Sequence, residues 1–175
     1  MKRPRLAFAR ARAKLVLAQG QETEPAVNVE KLARLAGATV LLVHYKGELA
    51  GSVIRLPGKI IIGVNAEQPP NRQRFTIAHE LGHLLLHEGK QVHLDERLRV
   101  NLRNATSSLA VDPDEMEANQ FAAELLMPEA FLEKDMLMLA SRDLESGGDI
   151  KKLAKKYQVS EQAMTIRLVA LRYMA

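Results

Sequence analysis

The spacing of apolar residues predicts two helices at the start of the chain and three strands after them. A first helix is predicted over residues 5–19, and a second begins at Asn28, whose side chain can cap it. The pattern then changes to short runs rich in Val, Ile and Leu. These runs predict strands over residues 39–45, 49–56 and 59–65. Pro57 and Gly58 suit a tight turn between the last two strands, so we expect a small antiparallel sheet.

The remainder of the chain is predicted to be mainly helical. A third helix is predicted over residues 71–87, after two consecutive prolines. Asp112 and Pro113 are typical of a helix start, and Pro128 ends the helix that they begin. Further helices are predicted over residues 129–140, 149–157 and 160–173.

The domain organisation follows from the weaker parts of the pattern. The stretch between the third and fourth helices is the least regular, with one short strand expected over residues 97–102. The Gly-Gly pair at residues 147–148 is the clearest candidate linker. We therefore expect one α+β domain over residues 1–146, followed by a short helical tail over residues 147–175.

The absence of cysteine narrows the chemistry available to the chain. Disulfides, thiolate metal sites, iron–sulfur clusters and a cysteine nucleophile are all excluded. A metal ion would have to be held by carboxylates and by the five His, which all lie between His44 and His93. No run approaches the about 20 apolar residues of a membrane span, and no secretory signal is recognisable. We therefore expect a cytoplasmic protein with no membrane partner.

The net charge of +4 is modest but unevenly distributed. Six basic residues precede the first acidic residue, Glu22. One interpretation is an arm that binds nucleic acid. We favour the solvated face of an amphipathic helix whose other face is apolar. The apolar residues of that face are Leu6, Ala9, Ala13 and Leu17.

The sequence HELGH at residues 79–83 carries the most informative chemistry. His79 and His83 are four residues apart, so on a helix both rings lie on one face and can bind one Zn²⁺ at about 2.0–2.1 Å. Glu80 can act as general base, taking a proton from the attacking water and later giving it to the leaving amine. This is the HExxH pattern of zinc peptidases. In such enzymes an edge strand beside the motif helix aligns the substrate, and the Ile-rich strand at residues 59–65 lies just upstream.

A zinc site of this type needs a third protein ligand. His87 is unsuitable because it lies about 12 Å from His79 along the helix axis; we expect it to interact with the carbonyls at the end of its helix. Glu115 is the better candidate, since Asn119 shares its helix face and can hydrogen-bond a zinc-bound His. The rival carboxylates on the same helix are Glu117 and Asp114. Candidates for stabilising the oxyanion are His93, Tyr45 and Tyr157, with no basis for ranking them.

Three stretches of the chain resemble the ImmA/IrrE metallopeptidases, peptidase family M78. The most specific are residues 72–87, RQRFTIAHELGHLLLH, and residues 115–128, EMEANQFAAELLMP. A weaker similarity covers residues 27–65. The resemblance implies a zincin-like α+β domain with a small antiparallel or mixed sheet, a motif helix and a glutamate helix.

The same resemblance implies the roles of individual residues. Zinc would be bound by His79, His83 and Glu115, with Glu80 as general base. Mn²⁺ or Fe²⁺ would fit a similar set of ligands. The choice of Glu115 over Glu117 is thereby supported.

The resemblance also implies a biological role. Members of this family are typically cytoplasmic proteins of bacteria and their mobile elements, and they characteristically cleave helix-turn-helix repressors of the Cro/CI type, often encoded beside them. The chain would then be a zinc-dependent endopeptidase that relieves repression in a stress response or during induction of a mobile element. The alternatives are a non-proteolytic transcriptional regulator and a toxin–antitoxin component, each acting by binding the repressor or DNA.

The C-terminal tail is similar to a helix-turn-helix over residues 153–168, LAKKYQVSEQAMTIRL. A DNA-binding interpretation places residues 161–167 in the groove, with Arg167 and several lysines as its basic groups. Few side chains of that second helix suit base edges. We therefore favour packing of the tail on the peptidase domain, or docking of the repressor, over direct DNA contact.

Overall fold

The computed structural model describes residues 3–45, 49–87, 92–95, 112–140 and 148–174, and of residues 92–95 only the backbone. Helices and strands are mixed along the chain, which gives an α+β fold. The elements in order are α1 (Leu6–Gln19), α2 (Val29–Leu35), β1 (Ala38–Val43), β2 (Gly51–Leu56), β3 (Lys59–Asn65), α3 (Pro70–Leu86), β4 (Val92–Asp95), α4 (Pro113–Leu126), α5 (Glu129–Ala140), α6 (Gly148–Tyr157) and α7 (Glu161–Ala170).

Four strands form one mixed sheet in the order β1-β3-β2-β4. β2 and β3 are antiparallel neighbours, and Gly58 in the turn between them has a φ of 71°, which favours glycine. The predicted hairpin is therefore confirmed. The sheet is mixed rather than purely antiparallel, because β1 pairs with β3 in parallel; this lies within the antiparallel or mixed sheet expected from the sequence. The chain reverses direction twice between these two strands, so they run the same way.

β3 is an interior strand, which corrects its interpretation as an edge strand for substrate. Its main chain pairs with β1 on one side and β2 on the other, so it has no free edge to offer a peptide. The outer described strands are β1 and β4. β4 was not predicted; it pairs with β2, with Gly51 opposite Asp95. The strand predicted over residues 97–102 lies outside the described residues.

α3 lies across one face of the sheet because their apolar surfaces are buried together. Ile77 and Leu81 of α3 are buried in the same core as Val53, Ile62 and Val64 of the sheet. α4 packs against α3, and α1 packs against α4. Burial of this apolar surface stabilises the stack and fixes α3 between the sheet and α4.

α1 buries most of the apolar face that the sequence predicts. Ala9, Ala13 and Leu17 are buried, while Leu6 is only partly buried and Val16 joins the core instead. Ala9 and Ala13 are small, so α1 can approach α4 closely.

The predicted capping residues Asn28 and Asp112 are in place, and Ser160 caps α7 in the same way. Asn28 and Ser160 each accept a hydrogen bond from the N–H three residues further on, at 2.9 and 3.1 Å. Asp112 accepts one from the N–H of Asp114 at 3.0 Å, and Pro113 is the first residue of α4. These side chains satisfy N–H groups that a helix start leaves unpaired.

The tail packs on the rest of the described chain. Tyr157, Met164 and Leu168 are buried in the common core, and Asn71 at the start of α3 donates to the carbonyl of Val159 at 3.1 Å. The division at residue 146 stays a prediction. Among the described residues, no helix combines the length and apolar character that a membrane span requires.

Candidate metal centre

α3 and α4 bring the two motif histidines and Glu115 to one point. His79 Nε2 and His83 Nε2 lie 2.9 Å apart, and each lies 3.3 Å from a different oxygen of Glu115. Ligands about 2.0–2.1 Å from a tetrahedral Zn²⁺ are about 3.3 Å from one another. The donor atoms therefore have the spacing of a zinc site. The histidines are buried, whereas 28% of the Glu115 side chain is exposed, so the group faces solvent on one side.

Asn119 orients the ring of His79 through a hydrogen bond to the ring nitrogen that does not face Glu115. Its Oδ1 accepts a hydrogen bond from His79 Nδ1 at 3.1 Å. A proton held on Nδ1 leaves the lone pair on Nε2, the atom that faces Glu115. The Glu115–Asn119 pair, one turn apart on α4, thus supplies one candidate ligand and the group that orients another.

The carboxyl group of Glu115 is held in its charged form. Burial tends to raise its pKa, but hydrogen bonds with His79 and His83, together with the charges of the two rings, lower it further than burial raises it. The net result is a pKa below the ordinary value for Glu. Glu115 is therefore a carboxylate at neutral pH, the form that binds metal ions.

Gly82, between the two histidines, allows α3 and α4 to approach closely. A Cβ atom at this position would lie 3.1 Å from Ala118 Cα and 3.2 Å from the ring of Phe121. A side chain at position 82 would push the helices apart. The glycine of the motif thus sets the distance between the helix that carries the histidines and the helix that carries Glu115.

Glu80 is buried, and its carboxylate lies against the start of β2. A Cβ atom at Gly51 would lie 2.9 Å from Glu80 Oε1 and would collide with Thr76 Cγ2. The absence of a side chain at Gly51 therefore makes room for the carboxylate. The sequence gives no local sign of this relation, because only the packing of the sheet on α3 brings the two residues together.

Comparison with known proteins identifies the family. The family model described as the IrrE N-terminal-like domain, Peptidase_M78, matches residues 32–169. The chain belongs to peptidase family M78. Among solved structures, a Mycobacterium tuberculosis transcriptional regulator has the same fold, with a TM-score of 0.61 and 17% identity over 93% of this chain. The match covers 46% of the regulator, so this chain spans less than half its length. No curated protein matches the sequence.

The rival carboxylates of this M78 domain lie in a second group, beside the first. His87 Nδ1 is 3.6 Å from Asp114 Oδ1 and 3.9 Å from Glu117 Oε2. The Arg5 side chain donates to both oxygens of Glu117, at 2.8 and 3.1 Å, and its backbone N–H donates again at 2.8 Å. These hydrogen bonds lower the pKa of Glu117. Because the guanidinium already supplies the positive charge, we assign no metal ion to this group.

The side chain of His87 corrects one expectation. It ends α3, but its ring does not contact the last carbonyls of that helix; Nε2 donates to the carbonyl of Asp114 in α4 at 3.0 Å. The carbonyls at the end of α3 are within reach of Arg55 instead, the nearest being that of His87 at 3.2 Å. Arg55 of β2, rather than the ring of His87, therefore places a positive charge at the negative C-terminal end of α3.

Neither tyrosine considered for the oxyanion lies at the candidate metal centre. Tyr157 is 0% exposed, and its hydroxyl donates to Asp135 at 2.9 Å. The hydroxyl of Tyr45 is 2.7 Å from Ser52 Oγ. Ser52 follows Gly51 in β2, so it points to the opposite face of the sheet from Glu80. The side chain of His93 lies outside the described residues.

Proposed function

We propose that this M78 protein is a zinc-dependent endopeptidase that binds the metal through His79, His83 and Glu115. The convergence of these three donors at tetrahedral spacing carries the proposal. Membership of a peptidase family supports it. Three protein ligands of the His and carboxylate type are typical of catalytic rather than structural zinc. Mn²⁺ and Fe²⁺ are the alternative ions for the same residues.

Each residue of the site has a distinct part in the proposed reaction. A zinc ion bound there supplies Lewis-acid polarisation of the scissile carbonyl and lowers the pKa of water. Glu80 takes a proton from the attacking water and delivers it to the amine nitrogen as the peptide bond breaks. Asn119 keeps the Nδ1 proton of His79 in place, so the ring presents Nε2 throughout.

The substrate that we propose is a Cro/CI-type helix-turn-helix repressor, whose cleavage relieves repression. The support is the family and the fold shared with a protein described as a transcriptional regulator. The tail over residues 147–175 is proposed to serve as part of this unit rather than as a DNA reader. Arg167 is the basic residue of the second helix of the tail. It is buried against Glu124 and therefore does not face outward toward a DNA groove.

The test compares cleavage by the wild type and by Glu80→Gln. Each protein is incubated with Zn²⁺ and the repressor encoded beside its gene, and Glu30→Gln, an exposed change of the same kind on α2, is the control. Wild type and control are expected to cleave the repressor, while Glu80→Gln retains zinc and leaves it whole. If wild type and Glu80→Gln both release the repressor from DNA without cutting it, the protein is a non-proteolytic regulator. A stable complex with neither cleavage nor release from DNA indicates the toxin–antitoxin alternative.

Elemental analysis tests the ligands separately. His79→Ala and Glu115→Ala are expected to lose zinc, because each removes one of three donors. Zinc retained in Glu115→Ala would move the third ligand to Glu117 or Asp114.

A further inference from the structure

We propose that Arg5 is a positioning residue for the metal centre, which holds α3 and α4 together so that Glu115 faces the two histidines. The inference rests on the proposed function, because it concerns the ligands of the same site. It assigns a role to α1, which precedes residues 32–169, the segment that the family model matches.

One guanidinium contacts both helices that carry the ligands. Arg5 Nη2 donates to Glu117 Oε2 at 2.8 Å and lies 3.4 Å from the carbonyl oxygen of Leu86, the last residue of α3. Nε donates to the other carboxylate oxygen at 3.1 Å. The backbone N–H of Arg5, the residue just before α1, also donates to Glu117, so the main chain and the side chain of Arg5 bind the same carboxylate. The contact is therefore directional as well as electrostatic.

Glu117 is placed to control the orientation of Glu115. The two residues are separated by one position on a helix, so their side chains point in roughly opposite directions. Glu117 is 0% exposed and Glu115 is partly exposed at the metal centre. Holding Glu117 in its buried position therefore fixes the rotation of α4 that turns Glu115 toward the histidines.

The first turn of α4 is the part of that helix that most needs such a contact. Glu115 is its third residue, and helix ends open more readily than helix centres. Without the Arg5 side chain, the buried carboxylate of Glu117 would keep, within the described part of the chain, only the backbone N–H at position 5, at 2.8 Å, and the His87 ring, 3.9 Å away. A buried carboxylate that has lost its main charged partner favours conformations that expose it to water. Removing Arg5 would therefore loosen the turn that carries the proposed ligand, and lysine, which lacks the planar fork, would restore the contact only in part.

The test measures Zn²⁺ affinity by competition with a chelator, and the Co²⁺ absorption spectrum as a report on ligand geometry. Arg5→Ala is expected to bind Zn²⁺ about tenfold more weakly, the lower end of the effect of residues that orient metal ligands, with an altered Co²⁺ spectrum. Arg5→Lys is expected to fall between Arg5→Ala and wild type. Arg10→Ala, which removes the same charge from an exposed position on α1, is the control and is expected to match wild type.

A double variant tests whether Arg5 acts through Glu117. In a Glu117→Gln background, Arg5→Ala is expected to change Zn²⁺ affinity much less than it does alone. Wild-type affinity and spectrum in Arg5→Ala, with zinc bound normally by the wild type, would overturn the inference and leave the proposed function intact. A wild type that binds no zinc would refute the metal centre and this inference together. Far-UV circular dichroism identifies a variant that fails to fold, and Arg5→Lys then carries the comparison.

Discussion

Replacing Arg167 by Met tests whether the C-terminal tail is part of the folded domain. Arg167 on α7 is 4% exposed and pairs with the fully buried carboxylate of Glu124 on α4. Its Nε also donates to the carbonyl of Met127 at 3.0 Å. Methionine fills a similar volume but leaves the carboxylate buried without its main partner. Unfolding should therefore become easier, because the unfolded chain returns that charge to water.

The size of the effect follows from the surroundings of Glu124. Removing one partner of a buried ion pair costs about 3–5 kcal/mol. Lys14 Nζ lies 3.9 Å from the other oxygen of Glu124, and the N–H of Glu129 donates to it at 3.4 Å, so part of the charge stays compensated. We expect Arg167→Met to lower the free energy of unfolding by about 3 kcal/mol, the lower end of this range. In a protein of this size that lowers Tm by about 6–12 °C.

The assay is urea unfolding followed by circular dichroism in the presence of a chelator, so that metal binding does not contribute to stability. Lys151→Met, an exposed change on α6, is the matched control. The double variant Glu124→Leu, Arg167→Met replaces both charges and should recover most of the lost stability. If Arg167→Met unfolds with the stability of the control, the buried pair does not carry this energy. A separate early transition for the tail would show that it is not part of one cooperative unit.

Three further predictions concern the site and the core. Gly51→Ala is expected to slow cleavage more than about tenfold with zinc content unchanged, because its Cβ displaces the carboxylate of Glu80; an unchanged rate would contradict the role of Gly51. Asn119→Ala is expected to weaken Zn²⁺ binding about 10–100-fold in chelator competition, and wild-type affinity would exclude it as an orienting residue. Burial, followed by the contact with Asp135, raises the pKa of Tyr157. The neutral hydroxyl of Tyr157 therefore contributes to stability below about pH 10, the ordinary pKa of Tyr, and this contribution is lost as pH rises further. The stability advantage of wild type over Tyr157→Phe should shrink in urea unfolding above that pH; a constant difference would refute the shift.

Local patterns predicted those elements whose signals lie within the element itself. β3 occupies the predicted residues 59–65, and α5 the predicted residues 129–140, because an apolar run ends at clear punctuation in both. α4 begins at Pro113 because Asp112 caps it. The motif histidines could be placed on one helix for the same reason, since their four-residue spacing has meaning only on a helix.

Relations between distant segments were not available from such patterns. The sequence predicts that Arg5, one of the six basic residues before Glu22, lies on a solvated helix face. In the structure 48% of its side chain is exposed, but its guanidinium binds Glu117, 112 residues away. The parallel pairing of β1 with β3 likewise depends on which side of the hairpin the earlier strand joins. Neither choice leaves a trace in local periodicity, because both are decided by burial in the assembled fold.

The contact between α3 and α4 at Gly82 sets the distances between the candidate metal ligands without changing which residues those ligands are. The donor spacing depends on how closely two helices cross, and a methyl group at the crossing would widen it by a few tenths of an ångström. Bond lengths differ between metal ions by similar amounts, about 2.0–2.1 Å for Zn²⁺ and 2.3–2.6 Å for Ca²⁺. A substitution at the helix contact can therefore change the preference of such a centre among metal ions, while every coordinating side chain stays the same.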